Sequence, residues 1–325
     1  MLKKTIRRLG ALAMILAMAV SVFTVNASAT GATANIQFEK SLVVSGDNAE
    51  LPLDETFNFT VTAAGKSTDT TYDNPGAEAI TVSSVKFDKG ATTSTKNINV
   101  TVNKDYFNRY ASDNSTVIGY KVGTYYYTIA ETAGSTDGMS YSKATKKLAV
   151  QVLADGTCTY YVVADSDAKD DATFENKYTA HKLTVTKKVT GNQGDKNKEF
   201  IIYVTINGAA GETYKTSSGD TIESGVQTGI VLKSEESMEI YNLSAGDTYT
   251  VVEAPGYADN EGYEVTGNVT TATAIGDEDV EVTIENNKDV DPPTGVITTI
   301  APYALMVVLA GAFAVVFLTR RNRAE

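Results

Sequence analysis

The 325-residue chain has one cysteine, one histidine, no tryptophan and six prolines. With Cys158 alone, no disulfide can form within the chain. Cys158 sits in "TCTYYVV", an alternating stretch that reads as a strand, where a thiol packs as a small hydrophobe. The single histidine, His181, has no serine or cysteine motif around it, so Ser-His and Cys-His catalysis are excluded. The stretch "DSDAKDDATFEN" (165–176) looks superficially like a calcium loop, but it has no glycine at its sixth position and ends in Asn176 instead of glutamate. No metal and no cofactor are expected. Long apolar runs and stretches of helical period are confined to the two ends.

Those ends are targeting segments, to be set aside before any fold is argued. Residues 1–29 carry Lys3, Lys4, Arg7 and Arg8, then "ALAMILAMAVSVF", then Ala27-Ser28-Ala29, the layout of a cleaved secretory signal peptide. At the other end "DPPTG" precedes an apolar span, Val296 to Leu318, and "TRRNRAE". A helix of that length spans roughly 34 Å, enough for a bilayer, with Arg320, Arg321 and Arg323 on the cytoplasmic side. The chain has 28 basic and 40 acidic residues; the ends hold 7 basic and 1 acidic, leaving 21 against 39 in residues 30–294, a net charge of −18. So acidic a segment excludes nucleic acid and anionic membrane surfaces as partners.

Between the ends the chain is built of short alternating runs rich in Thr, Val and Tyr, broken by Gly, Asn and Asp. That pattern predicts an all-β sandwich or barrel. It also repeats. "ETFNFTVTAAG" (55–65) parallels "KEFIIYVTINGAAG" (198–211), "YTIAE" parallels "YTVVE", and "TFEN" (173–176) parallels "TIEN" (283–286). "IQFEKSLVVSGD" (36–47) likewise parallels "LTVTKKVTGNQGD" (183–195), so a duplicated domain is expected, with its boundary near residues 179–182.

Strand phase decides which side chains point inward. Phe38, Lys40 and Leu42 share a face, as do Leu183, Val185, Lys187 and Val189, which turns Lys188 outward. Tyr127, Ile129 and Glu131 alternate, as do Tyr249, Val251 and Glu253; Asn176 follows Phe174 inward, and Asn286 follows Ile284. Each half therefore sends a lysine, a glutamate and an asparagine into its core. A single such set is accounted for equally by a buried ion pair with a hydrogen-bonded amide, retained for packing. Found twice in equivalent phase, it suggests chemistry. Burial lowers a lysine pKa and leaves the amine nucleophilic. The amine attacks the asparagine carboxamide and expels ammonia, forming an isopeptide bond. A buried carboxylic acid polarises the amide oxygen and relays protons from amine to ammonia.

The stretches "FEKSLVV", "YYYTIAE", "FENKY", "LTVTKKVTGN", "YTVVEAPGY" and "TIENNK" resemble Gram-positive backbone pilins of the T-antigen (FctA) type, whose second domain is CnaB-like. The resemblance implies two tandem immunoglobulin-like (CnaB-type) Greek-key sandwiches, residues 30–179 and 180–290, stacked end to end. It implies bonds Lys40–Asn176 with Glu131, and Lys187–Asn286 with Glu253. Residues 291–325 look like a sortase sorting signal: Pro292, Thr294 and Gly295 match Leu-Pro-x-Thr-Gly, Pro293 fills the free position, and Asp291 replaces the leucine. By that likeness a pilin-specific or housekeeping sortase cleaves after Thr294. In the family the acceptor lysine lies a few residues before the first bond-forming asparagine, which points to Lys169, with Lys146, Lys147 and Lys177 as alternatives. The implied function is the shaft subunit of a covalent pilus, secreted, held transiently in the membrane, then anchored in the cell wall. Its implied partners are other copies of itself, minor pilins and peptidoglycan. The alternative is a monomeric wall-anchored adhesin or a minor pilin. Self-linking is single-turnover, so no enzyme activity is expected.

Overall fold

Alternating Thr, Val, Tyr and Ile suit a pleated, half-buried surface, and strands dominate the computed structural model. It describes residues 38–163, 172–256 and 261–290, with helical residues 303, 305–310 and 312–313 near the C-terminus. The expected signal peptide, Lys169, the pentapeptide 291–295, the basic tail and most of the apolar span lie outside the described residues. Among the described residues no helix is long and apolar enough to cross a membrane.

The described β-structure makes two immunoglobulin-like sandwiches. In the first, a four-stranded sheet has the order Met139–Ser140, Thr173–Thr179, Phe38–Ser45, Ser94–Ile98. Its partner sheet runs Cys158–Val163, Thr145–Val152, Gly123–Thr132, Glu55–Lys66, Val85–Phe87. The core between them is aromatic and aliphatic: Phe38, Leu42 and Phe174 meet Phe57, Tyr125, Tyr127, Ile129, Leu148 and Val150. In the second sandwich the sheets run Ser237–Leu243, His181–Thr190, Val280–Asn287, Glu264–Thr266 and Thr228–Leu232, Phe200–Asn207, Thr248–Glu253, Val269–Ala274. Leu183, Val185 and Ile284 of the first sheet pack against Ile202, Val204, Ile206 and Val251 of the second.

One pairing recurs and positions everything that follows. In each sandwich the opening and closing strands are parallel neighbours. Lys40 stands opposite Phe174 and Leu42 opposite Asn176; Lys187 stands opposite Ile284 and Val189 opposite Asn286. The asparagine is thus two residues beyond the lysine's cross-strand partner in both. Parallel neighbours with a whole domain between them must be brought together by long crossover connections. In the first sandwich those connections include two extra ribbons, Ile80–Val82 with Val100–Val102 and Asn108–Tyr110 with Val117–Tyr120.

The closing strand of the first sandwich runs almost directly into the opening strand of the second, with Ala180 between. Polar contacts bracket this crossing. Lys182 Nζ reaches Asp47 at 2.9 Å and Glu239 at 3.1 Å. Lys215 Nζ donates to Glu50 at 2.7 Å, while the Glu50 N–H donates to Asn242 Oδ1 at 2.9 Å. The Tyr178 and Ser244 hydroxyls, both buried, lie 3.0 Å apart.

Candidate functional site

The lysine and asparagine of each set come from adjacent strands of one sheet, and the glutamate descends from the facing sheet. Glu131 is paired across its own sheet with Phe59, and Glu253 with Ile202. Two residues before those partners stand Phe57 and Phe200, whose rings lie under the two amines: Lys40 Nζ is 4.4 Å from the Phe57 centroid and Lys187 Nζ 4.5 Å from that of Phe200. The two sites are therefore equivalent in register as well as in composition. The aligned starts "ETF" and "KEF" carried this signal in the sequence, but it was not among the residues singled out there.

In the first site Lys40, Asn176 and the side chain of Glu131 are fully buried. Lys40 Nζ lies 3.0 Å from Glu131 Oε2, out of alignment for a hydrogen bond, and donates to the Phe174 carbonyl at 3.2 Å. Asn176 Nδ2 donates to Glu131 Oε1 at 2.5 Å, and the Ser142 N–H donates to Asn176 Oδ1 at 2.7 Å. In the second site Lys187 Nζ donates to Glu253 Oε2 at 2.6 Å and Asn286 Nδ2 to Glu253 Oε1 at 2.8 Å. Asn286 Oδ1 is buried with no hydrogen-bond donor among the described residues. Each carboxylate thus spans amine and carboxamide, one oxygen to each.

Burial dominates the electrostatics. Desolvation pulls both the Lys40 and the Lys187 amines below the ordinary lysine value, against the opposing attraction of Glu131 and Glu253. A dry amine with a lowered pKa, held beside a carboxamide by a bridging carboxylate, can become a nucleophile. One detail departs from the sequence-based expectation. Both carboxylates meet the amide nitrogen, the leaving group, and neither meets the amide oxygen.

The remaining candidates are placed as follows. Lys188 points outward, with Glu285 at 3.2 Å. Of the alternative linking lysines, Lys177 is exposed, Lys147 is half-buried with its amine 4.6 Å from the Tyr126 centroid, and Lys146 is buried and so poorly presented to another protein. Cys158 is buried, and burial pushes its thiol pKa up, which disfavours the thiolate. His181 begins the second sandwich, 3.9 Å from Asp279. No cluster of three or more metal-ligating side chains occurs among the described residues.

Comparison with known proteins bears on these sites. Residues 23–179 match the family described as Spy0128-like isopeptide containing domain, and residues 181–288 match a domain of unknown function (DUF7601). The chain is 30% identical over 243 residues to a protein named Pilin from Streptococcus pyogenes serotype M1, covering 65% of this chain and 71% of that one. It is 37% identical over 128 residues to the pilus tip adhesin Cpa of Streptococcus pyogenes, covering 36% of this chain and only 18% of the adhesin. Among solved structures, the major pilin from Streptococcus pyogenes aligns with a TM-score of 0.59 at 21% identity, covering 80% of this chain and 100% of that one. The T3.2 major pilin of the same species aligns with a TM-score of 0.55 at 19% identity, covering 78% and 98%. At those identities the structural likeness speaks to the fold alone.

Proposed function

This chain belongs to the pilin family and is a structural subunit of a pilus shaft at the cell surface; from that premise we propose that it is covalently sealed within each domain and covalently joined to its neighbours. The observation that carries the proposal is the duplicated site: a buried lysine, glutamate and asparagine brought together twice in one register. Each amine attacks its carboxamide. The glutamate accepts a proton from the amine and gives one to the departing nitrogen, so that ammonia leaves and the carboxyl group ends as it began. The seals are Lys40–Asn176 and Lys187–Asn286, within domains 30–179 and 180–290.

Polymerisation needs a second chemistry. A sortase acylated at Thr294 is resolved by a lysine of the next copy, for which Lys169 is the preferred residue. It sits among Asp165, Asp167, Asp170 and Asp171 in the sequence, a composition suited to solvent, whereas Lys40 and Lys187 are buried. A link from one copy's C-terminus to another's side is heterologous and propagates as an open filament. The last subunit passes to peptidoglycan, and minor pilins join by the same route. Chemistry of this kind consumes its own side chains, so the chain is a structural protein and not an enzyme with turnover.

Intact mass tests the first half. The secreted segment 30–294 is expected two ammonia masses below its sequence mass, and peptide mapping should join Lys40 to Asn176 and Lys187 to Asn286. Full sequence mass would end the proposal. The second half is tested by a high-mass ladder in extracts of cells expressing the chain with its sortase; a single wall-linked species would favour a monomeric surface protein.

A further inference from the structure

The amide orientation in the first site is fixed by a donor that cannot act as an acceptor. A backbone N–H only donates, so the Asn176 atom 2.7 Å from Ser142 N is the oxygen, and the nitrogen must face Glu131. Glu131 can then protonate the leaving nitrogen but does not reach the oxygen on which negative charge develops. We propose that the backbone N–H of Ser142 is the oxyanion donor of the first site, stabilising the tetrahedral intermediate formed when Lys40 attacks Asn176. This rests on the bond-forming reading and adds a catalytic group to it.

The step balances without an outside reagent. The neutral Lys40 amine adds to Asn176 Cγ, and the carbonyl π pair moves to Oδ1, which becomes the oxyanion held by Ser142. Glu131 Oε1 delivers its proton to Nδ2, and the resulting carboxylate takes one proton from the lysine nitrogen, which the addition has left positively charged. The C–N bond to ammonia breaks as the oxygen's pair re-forms the carbonyl, and Glu131 is again protonated. Atoms and charge are conserved, and the amide oxygen keeps the Ser142 hydrogen bond throughout.

The geometry suits that role. The separation lies within the 2.7–3.1 Å range expected of oxyanion donors, in a water-excluded site where a fixed dipole counts for more than it does in solvent. The donor is held by rigid structure on both sides. Met139 and Ser140 pair with Tyr178 and Lys177 of the closing strand, and the Ser142 Oγ accepts from the Ala144 N–H at 3.3 Å. The donor and the electrophile therefore belong to one hydrogen-bonded unit. The equivalent oxygen of the second site, on Asn286, has no donor among the described residues, so Ser142 serves one bond alone.

The test replaces one N–H by an oxygen, which cannot donate. The full chain is made by cell-free translation with serine's α-hydroxy acid at position 142, which turns the Tyr141–Ser142 amide into an ester. Samples are quenched in denaturant at intervals, weighed intact and mapped. The Lys40–Asn176 bond is expected to appear roughly a hundredfold more slowly, with the Lys187–Asn286 bond in the same molecules unchanged. Ser142→Ala keeps the N–H and loses only the Oγ contact with the Ala144 N–H, so it is expected to seal the first bond far faster than the ester chain does. An ester chain that seals the first bond normally, or a Ser142→Ala chain slowed as much as the ester, overturns the proposal. If the ester does not fold, the natural chain decides by NMR. A scalar coupling across the hydrogen bond from the Ser142 nitrogen to the Asn176 side-chain carbonyl carbon is expected, and its absence overturns the assignment. A natural chain that loses no ammonia at Lys40 and Asn176 would instead overturn the isopeptide reading itself, which separates the two failures.

Discussion

Replacing Asn286 with alanine isolates what the second crosslink contributes to stability. The substitution removes the electrophile but leaves Lys187 bonded to Glu253 at 2.6 Å, so no buried charge loses its partner. The hydrogen bond from Asn286 Nδ2 to Glu253, at 2.8 Å, belongs to the unsealed chain, because that nitrogen leaves as ammonia when the bond forms. The loss is therefore conformational. The bond closes a loop of about 100 residues, for which chain-entropy reasoning by analogy with disulfides gives about 4.7 kcal/mol. For a domain of this size each kcal/mol moves the melting temperature by about 4–8 °C, so the second sandwich should melt on the order of 20–40 °C lower. Calorimetry on residues 30–294 resolves this as one displaced transition, while mass spectrometry shows one ammonia regained. Lys188→Ala, on the outward face of the same strand, should change neither reading. A displacement of only a few degrees with the ammonia regained would refute the entropic argument. A large displacement with the ammonia still missing would place the bond on another residue.

Three further outcomes are expected. Glu253→Ala should abolish the second bond and leave the first intact, read as one ammonia regained and a linked Lys40–Asn176 peptide; retention of both bonds would remove the proton relay from the mechanism. Lys169→Ala should preserve secretion, folding and both internal bonds while eliminating the high-mass ladder; an unchanged ladder would move the acceptor to another lysine, with exposed Lys177 the next to test. Asp247 offers a pH test. Burial is the main cause that pushes its carboxyl up to about 6, with Glu212 and Asp137 adding repulsion, although the Ser244 N–H donates to it at 2.9 Å and Tyr214 also bonds to it. The folded state then holds this proton at pH values where the unfolded chain, with a value near 3.9, has released it. Stability from this group is full below about pH 4 and is lost as pH rises to about 6. Asp247→Asn should flatten that slope and raise the neutral-pH stability of the second sandwich by roughly 1–3 kcal/mol; a slope unchanged in the variant would assign it to other groups.

Much of this architecture was legible because alternation is a local signal. The inward phase of Lys40, Lys187, Glu253 and Asn286, and the outward phase of Lys188, follow from counting by twos along short strands, and each side chain has that burial. The parallel neighbouring of opening and closing strands was not in that signal, since residues 97 or more positions apart leave no mark on each other's periodicity. Nor could alternation give the orientation of a carboxamide. Which way Asn176 turns depends on the Ser142 N–H, a backbone group that every non-proline residue carries. The expectation that the acid would meet the amide oxygen came from side-chain chemistry alone, and backbone geometry reversed it. The aromatic floor under each lysine was readable in principle, since Phe57 and Phe200 occupy aligned positions in the repeat.

The parallel pairing of first and last strands also determines where mechanical tension runs in a shaft. With Lys169 and Thr294 as the points of attachment and both crosslinks formed as proposed, a pull enters the subunit seven residues before Asn176. It passes along the closing strand and across Ala180 to Lys187, leaps the second crosslink to Asn286, and leaves at Thr294. Residues 169–187 and 286–294 form that route, 28 in all. The backbone between Lys187 and Asn286 is slack, bypassed by a covalent bond. Of the first sandwich only the closing strand is in series with the load, and the crosslink there fastens that strand to its neighbour and keeps it from being stripped out of the sheet. The two seals thus have different mechanical duties, one a link in the cable and the other a clamp upon it. Such a cable has almost no hidden length to pay out. Under tension it should hold its contour like wire, and a subunit lacking the second seal should lengthen by a whole unravelled domain, where one lacking the first should not.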